Sequence, residues 1–109
     1  MTLTFNNSDT QLLTTAQPVL VGDQGATYII TAATVVNTDT EQHEVSVWRV
    51  PNGGSTSLAG TQIIDAQPVA AGETAQLGLV GQSLTNAATL QALADAADVL
   101  NLNLSWVQM

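Results

Sequence analysis

The residues able to do chemistry are few, and their spacing decides what they can do. The one histidine, His43, stands between Glu41 and Glu44 at the start of a predicted strand. A hydrolytic triad needs an imidazole held by a carboxylate beside a nucleophile. No glycine-flanked serine accompanies His43, so it reads as a satisfied surface histidine rather than a base. Cysteine is absent, which removes disulfides, thiolate metal sites and cysteine nucleophiles. One histidine without cysteine is too small a ligand set for zinc.

The acids suggest one further metal test. Asn37-Thr38-Asp39-Thr40-Glu41 looks like the start of a calcium-binding EF-hand loop, which needs glycine at its sixth position and a bidentate acid at its twelfth. Gln42 and Trp48 occupy those positions; at most a weak surface calcium remains at this turn. Gly53-Gly54 is not followed by the lysine of a phosphate-binding loop, and the chain has no lysine at all. The remaining acids are dispersed through turns, and nothing pairs two of them for glycosidase chemistry. The expectation is a protein that is not an enzyme, with no catalytic residues, metal, cofactor or small-molecule substrate.

Charge narrows the partners. Nine acids face one base, Arg49, for a formal net charge of −8. Phosphate-binding proteins need a basic face, so nucleic acid is excluded as an expected partner, and anionic membranes by the same argument. Only 9% of residues are charged, against a usual quarter. The polar surface is then built of Thr, Ser, Asn and Gln, neutral groups that cost less to desolvate than ions. No apolar run reaches the length of a membrane span. The start, MTLTFNNSDT, has neither the basic nor the apolar part of a secretory signal, so synthesis and retention in the cytoplasm are expected.

The elements that position these residues have a period of two. Over 99–107, Leu100, Leu102, Leu104 and Trp106 alternate with Asn101, Asn103 and Ser105, the pattern of a half-buried strand with Trp106 in the core. Further strands are predicted over 44–50, 27–36 and 75–80, with shorter ones over 12–21, broken near Pro18, and 61–65. Pro51-Asn52-Gly53-Gly54, Asn37 to Thr40 and Ala71-Gly72-Glu73-Thr74 supply the turns. The alanine-rich segment 84–97 is compatible with a helix by propensity; the alternation of Leu90, Ala92 and Ala94 instead supports a strand over 89–94, followed by a tight 95–98 connection. The expected fold is all-β: a single antiparallel β-sandwich, Ig-like or jelly-roll-like, over 10–109, behind a short extended N-terminal arm over 1–9.

Three residues are candidate interface anchors. Leu3 and Phe5 give the arm an apolar edge. On the strand 44–50, Val45 and Val47 share one face and Trp48 the other. If the valines face the core, Trp48 is an outward tryptophan of the kind that anchors interfaces; with the strand reversed, it is core.

The order of signals, a strand ending in Val36-Asn37-Thr38, then Val45-Ser46-Val47-Trp48, a Gly/Ser-rich hairpin, the Gly72-Glu73-Thr74 turn and a closing strand ending near Trp106, resembles the small β-sandwich virion proteins of tailed bacteriophages. The likeness covers roughly 28–107. It implies a capsid decoration or cement protein, located in the virion, a homotrimer binding the major capsid protein. Tail, connector or head-completion parts of the same particles are the alternative, and a carbohydrate-binding or adhesin-like module is a second one.

Overall fold

The computed structural model describes residues 3–56 and 61–109. Among them there is no helix. Nine strands form two antiparallel sheets that pack face to face. They are β1 (Thr4–Gln11), β2 (Gln17–Val21), β3 (Thr27–Asn37), β4 (His43–Val50), β5 (Gln62–Val69), β6 (Thr74–Gln76), β7 (Ser83–Thr85), β8 (Thr89–Ala94) and β9 (Leu100–Gln108). One sheet, here sheet A, runs β1-β9-β3-β6, with β7 also pairing with β3; sheet B runs β2-β8-β4-β5.

Alternation explains the core. Leu100, Leu102 and Leu104 of β9 point between the sheets, against Val45 and Val47 of β4 and Leu90, Ala92 and Ala94 of β8, all essentially inaccessible. Each leucine buried this way contributes roughly 2–3 kcal/mol of apolar transfer. The β3 strand keeps its apolar residues inside by breaking its own period. Tyr28 and Ile30 face inward, and so do Ala33 and Val35. The register with β9 shifts between Ile30 and Ala32, leaving Thr31 as the extra residue of a bulge.

Several expectations need correction. The segment expected as an arm over 1–9 is, from Thr4 onward, a full edge strand in unbroken register with β9, Thr4 opposite Gln108 through to Gln11 opposite Asn101; Met1 and Thr2 lie outside the described residues. The strand expected over 12–21 begins only at Gln17, because 12–16 crosses from sheet A to sheet B: Leu12 N–H donates to Leu100 O and Ala94 N–H to Leu13 O. The strand expected over 75–80 is β6 alone. After it, 77–82 leaves the ladder, buries Leu77 and Leu79, and returns as Gly81 N–H bonds Ile30 O. The strand over 61–65 continues to Val69. At Ala66 the backbone takes φ 48° and its N–H donates to Ser46 Oγ at 3.0 Å. That bulge reverses the alternation, which hid the second half of β5.

The segment 84–97 resolves into β7, a turn and β8. Asn86 and Ala87 both have positive φ, 57° and 60°, and Ala88 N–H donates to Thr85 O. This is a two-residue turn of the type whose twist matches a hairpin.

Candidate functional site

The sequence markers Val36-Asn37-Thr38 and Gly72-Glu73-Thr74 meet in space at one joint between the sheets. Val36 pairs with Thr74, and Asn37 N–H donates to Glu73 O at 2.9 Å. Gly72 makes the reversal with φ 68°, a conformation that glycine adopts without a Cβ penalty. Buried Asn37 donates through Nδ2 to Val69 O at 2.9 Å and Glu41 O at 2.8 Å. Its Oδ1 accepts from Asp39 N–H at 2.9 Å. One side chain therefore ties the end of β3 in sheet A to the end of β5 in sheet B and shapes the turn carrying Asp39.

That turn delivers Asp39 to His43. His43 Nε2 lies 2.7 Å from Asp39 Oδ2, and Nδ1 lies 2.9 Å from Asp95 Oδ1. Carboxylates only accept, so both bonds form together only on a ring protonated at both nitrogens. The bond to Asp39 above all, then Asp95, raises the His43 pKa against the opposing effect of desolvation. The Asp39 carboxyl is lowered in turn, by the histidine and then by Thr40 N–H. The sequence reading paired this histidine with Glu41 and Glu44 on the surface. Its partners are instead Asp39 and Asp95, and the ring is buried. In that doubly protonated form it has no lone pair to act as a base. It clamps the β3–β4 turn to the β8–β9 turn.

The aromatic residues divide differently. Val45 and Val47 face the core, so Trp48 stands on the outer face of sheet B, half-buried between Gln62 and Gln91 across the ladders. Trp106, expected in the core, is only half-buried. It packs against the end of the core and stacks on Tyr28, with ring centroids 6.3 Å apart. The edge strand beyond it is polar there, Asn6 lying opposite, so one side of the indole stays open. The Tyr28 hydroxyl donates to Asp23 Oδ2 at 2.9 Å; burial first, then that bond and the carboxylate charge raise its pKa.

Phe5 lies on the outer face of sheet A, 76% exposed, in a row with Val107 and Ile29. Leu3, 49% exposed, and Met109 extend this apolar end. On the three long strands the rest of the outer face is Asn7, Asp9 and Gln11 on β1, Asn101, Asn103 and Ser105 on β9, and Ala32, Thr34 and Val36 on β3, with Thr74 and Gln76 of β6 and Ser83 and Thr85 of β7 beyond them. Asp9 is its one ionic group among the described residues. The acids gather elsewhere: Asp39, Glu41, Glu44, Glu73, Asp95 and Asp98, six of the nine, lie in or beside the turns at one end of the sandwich. Arg49 is near the other end, its guanidinium 3.4 Å from Ser83 O. What the sequence missed here is the neutral sheet face itself, which alternation would have found had β1 been read as a strand.

No protein-family model matches the chain, and no curated protein does. Among solved structures, the chain is similar to one described as "Bacillus endospore appendages form a novel family of disulfide-linked pili", with a TM-score of 0.58 and 19% identity over 98% of this chain and 85% of that one. At that identity the likeness is one of fold, a sandwich of two antiparallel sheets.

Proposed function

We propose that this chain is a non-catalytic structural subunit of a bacteriophage particle, a decoration or cement protein that binds assembled capsid subunits. The observation that carries the reading is the outer face of sheet A: neutral amides and hydroxyls around a single acid, Asp9, ending in exposed Leu3, Phe5 and Met109. Such a face is cheap to cover, because few ions must be stripped of water, and its apolar end gives the contact a driving force. A subunit that binds only the assembled shell stabilises it by mass action. Contacts from several self-associated copies add avidity.

Quantitative mass spectrometry of purified particles tests this. A copy number equal to that of the major shell protein, or a simple fraction of it, is expected. A handful of copies at one vertex would point to a tail or connector part, and absence from particles would end the reading.

The fold likeness to the pilus protein supports a second reading, a subunit of an extracellular fibre. This chain lacks cysteine, so a fibre of it would be held by non-covalent contacts. Filaments of the purified chain in negative-stain electron microscopy would favour that reading.

A further inference from the structure

The four sheet edges are not equally protected. An edge strand offers unpaired backbone groups to any other strand, and proteins blunt such edges with proline, bulges, charges or short strands. The β2 edge carries Pro18 and a register break between Pro18 and Leu20. The β5 edge carries Asp65, the Ala66 bulge and Pro68, with two register breaks against β4. The edge beyond β3 is split into β6 and β7, three residues each, by the 77–82 excursion. β1 has none of these devices. Its eight residues contain no proline, glycine or lysine, its register with β9 is unbroken, and its one charge is Asp9.

We infer that β1 is kept open for β1 of a second copy of this chain, the two strands pairing antiparallel about a two-fold axis beside Asn7. An antiparallel pair places directly opposed residues on the same face, which requires the axis to pass beside a residue. Axes beside Asn7 and beside Ser8 each overlap seven residues of β1; the axis beside Asn7 sets Thr4 opposite Thr10 of the second copy and Phe5 opposite its Asp9, and keeps the two Asp9 side chains four residues apart along the strands instead of two.

Two observations favour this occupant. Ser8 Oγ is buried, and it is the one buried side-chain polar atom without a hydrogen-bond partner among the described residues. A buried polar group left unpaired costs free energy. Pairing about Asn7 sets Asn6 of the second copy directly opposite Ser8, at the Cβ separation of about 5 Å that lets cross-strand side chains bond. The second is charge. Two copies at −8 each repel, but in this register the two Asp9 side chains lie four residues apart along the strands, roughly 13 Å, beyond the screening length of about 8 Å at physiological salt. The acid-rich turns lie at the Gln11 end of β1, four residues along the strand from the axis.

The inference rests on reading the chain as an assembly subunit, but it is tested on the purified full-length chain alone, so its failure leaves the particle copy number untouched. Sedimentation equilibrium should give the mass of two chains. Asn7→Lys places two cations face to face at the axis on an exposed position, and should give one chain with an unchanged melting transition. Val21→Lys, an exposed position on the guarded β2 edge, should stay dimeric. A wild-type chain that is monomeric at its solubility limit, a trimer, or an Asn7→Lys variant that is folded and still dimeric would each overturn it. If Asn7→Lys melts early, hydrogen exchange on the wild type decides: protection of alternate β1 amides should fall on dilution, and protection independent of concentration counts against the pairing.

Discussion

Replacing Asn37 by alanine should be among the most damaging single changes to this fold outside the apolar core. The side chain makes three hydrogen bonds of 2.8–2.9 Å, to Glu41 O, Val69 O and Asp39 N–H, from a site 1% exposed. A typical intramolecular hydrogen bond contributes about 1 kcal/mol net, and a buried group left without its partner costs more. Three such bonds, with the buried Val69 carbonyl orphaned, sum to about 3–4 kcal/mol, a large share of the roughly 5–15 kcal/mol that holds a domain folded. At a urea slope near 1–2 kcal/mol/M for a chain of this size, the unfolding midpoint should drop by roughly 1.5–4 M. Asn37→Asp keeps the acceptor for Asp39 N–H but turns a carboxylate toward two carbonyls, and should cost at least as much. Thr38→Ala, which removes an exposed bond to Val99 O at 3.1 Å, is the comparison and should cost about 1 kcal/mol or less. Urea titrations followed by tryptophan fluorescence read all three. The reasoning fails if Asn37→Ala falls within 1 kcal/mol of Thr38→Ala, or if Asn37→Asp is neutral.

Three further outcomes are expected. The His43 clamp gives stability a pH signature: the raised histidine contributes fully below its unfolded value of about 6.5 and fades as pH climbs through its folded value, whereas the lowered Asp39 contributes above about pH 4 and fades in acid. The melting difference between wild type and His43→Gln should be largest between those limits and shrink in base; a difference constant from acid to base would contradict the doubly bonded ring. Ala87→Gly should raise stability by about 0.5–1 kcal/mol, read by thermal melting, since Ala87 holds a positive φ of 60° that glycine adopts freely; a lower melting point would show that the turn is not strained. Trp48→Ala should keep cooperative melting and cost less than the about 3–5 kcal/mol of an emptied core aromatic site; a loss of that full size would place the indole in the core.

Where the period of two is clean, the sequence shows the fold. Leu100, Leu102 and Leu104 against Asn101 and Asn103 mark β9 without help, and Val45 with Val47 sets the inward face of β4. The pattern fails where the backbone inserts a residue. Thr31 and Ala66 each shift the alternation by one, and a reader following parity loses β5 after Asp65. β1 escaped notice for another reason: as an edge strand on one neighbour, its inward residues are Asn6, Ser8 and Thr10, with no apolar signal to read. The His43 clamp was hidden because Asp95 is distant in sequence, while Glu41 and Glu44 are close in sequence and uninvolved. Asn37 is the opposite case, since its place in Val-Asn-Thr was visible and only its three bonds needed the structure.

The proposed decoration role meets its sharpest test in a cryo-electron map of purified phage particles whose proteins include this chain. Sandwich density repeated over the capsid surface is expected, with the neutral face of sheet A and Phe5 covered by shell subunits or by another copy. Sandwiches that touch nothing through that face, or a shell without this chain, would contradict it.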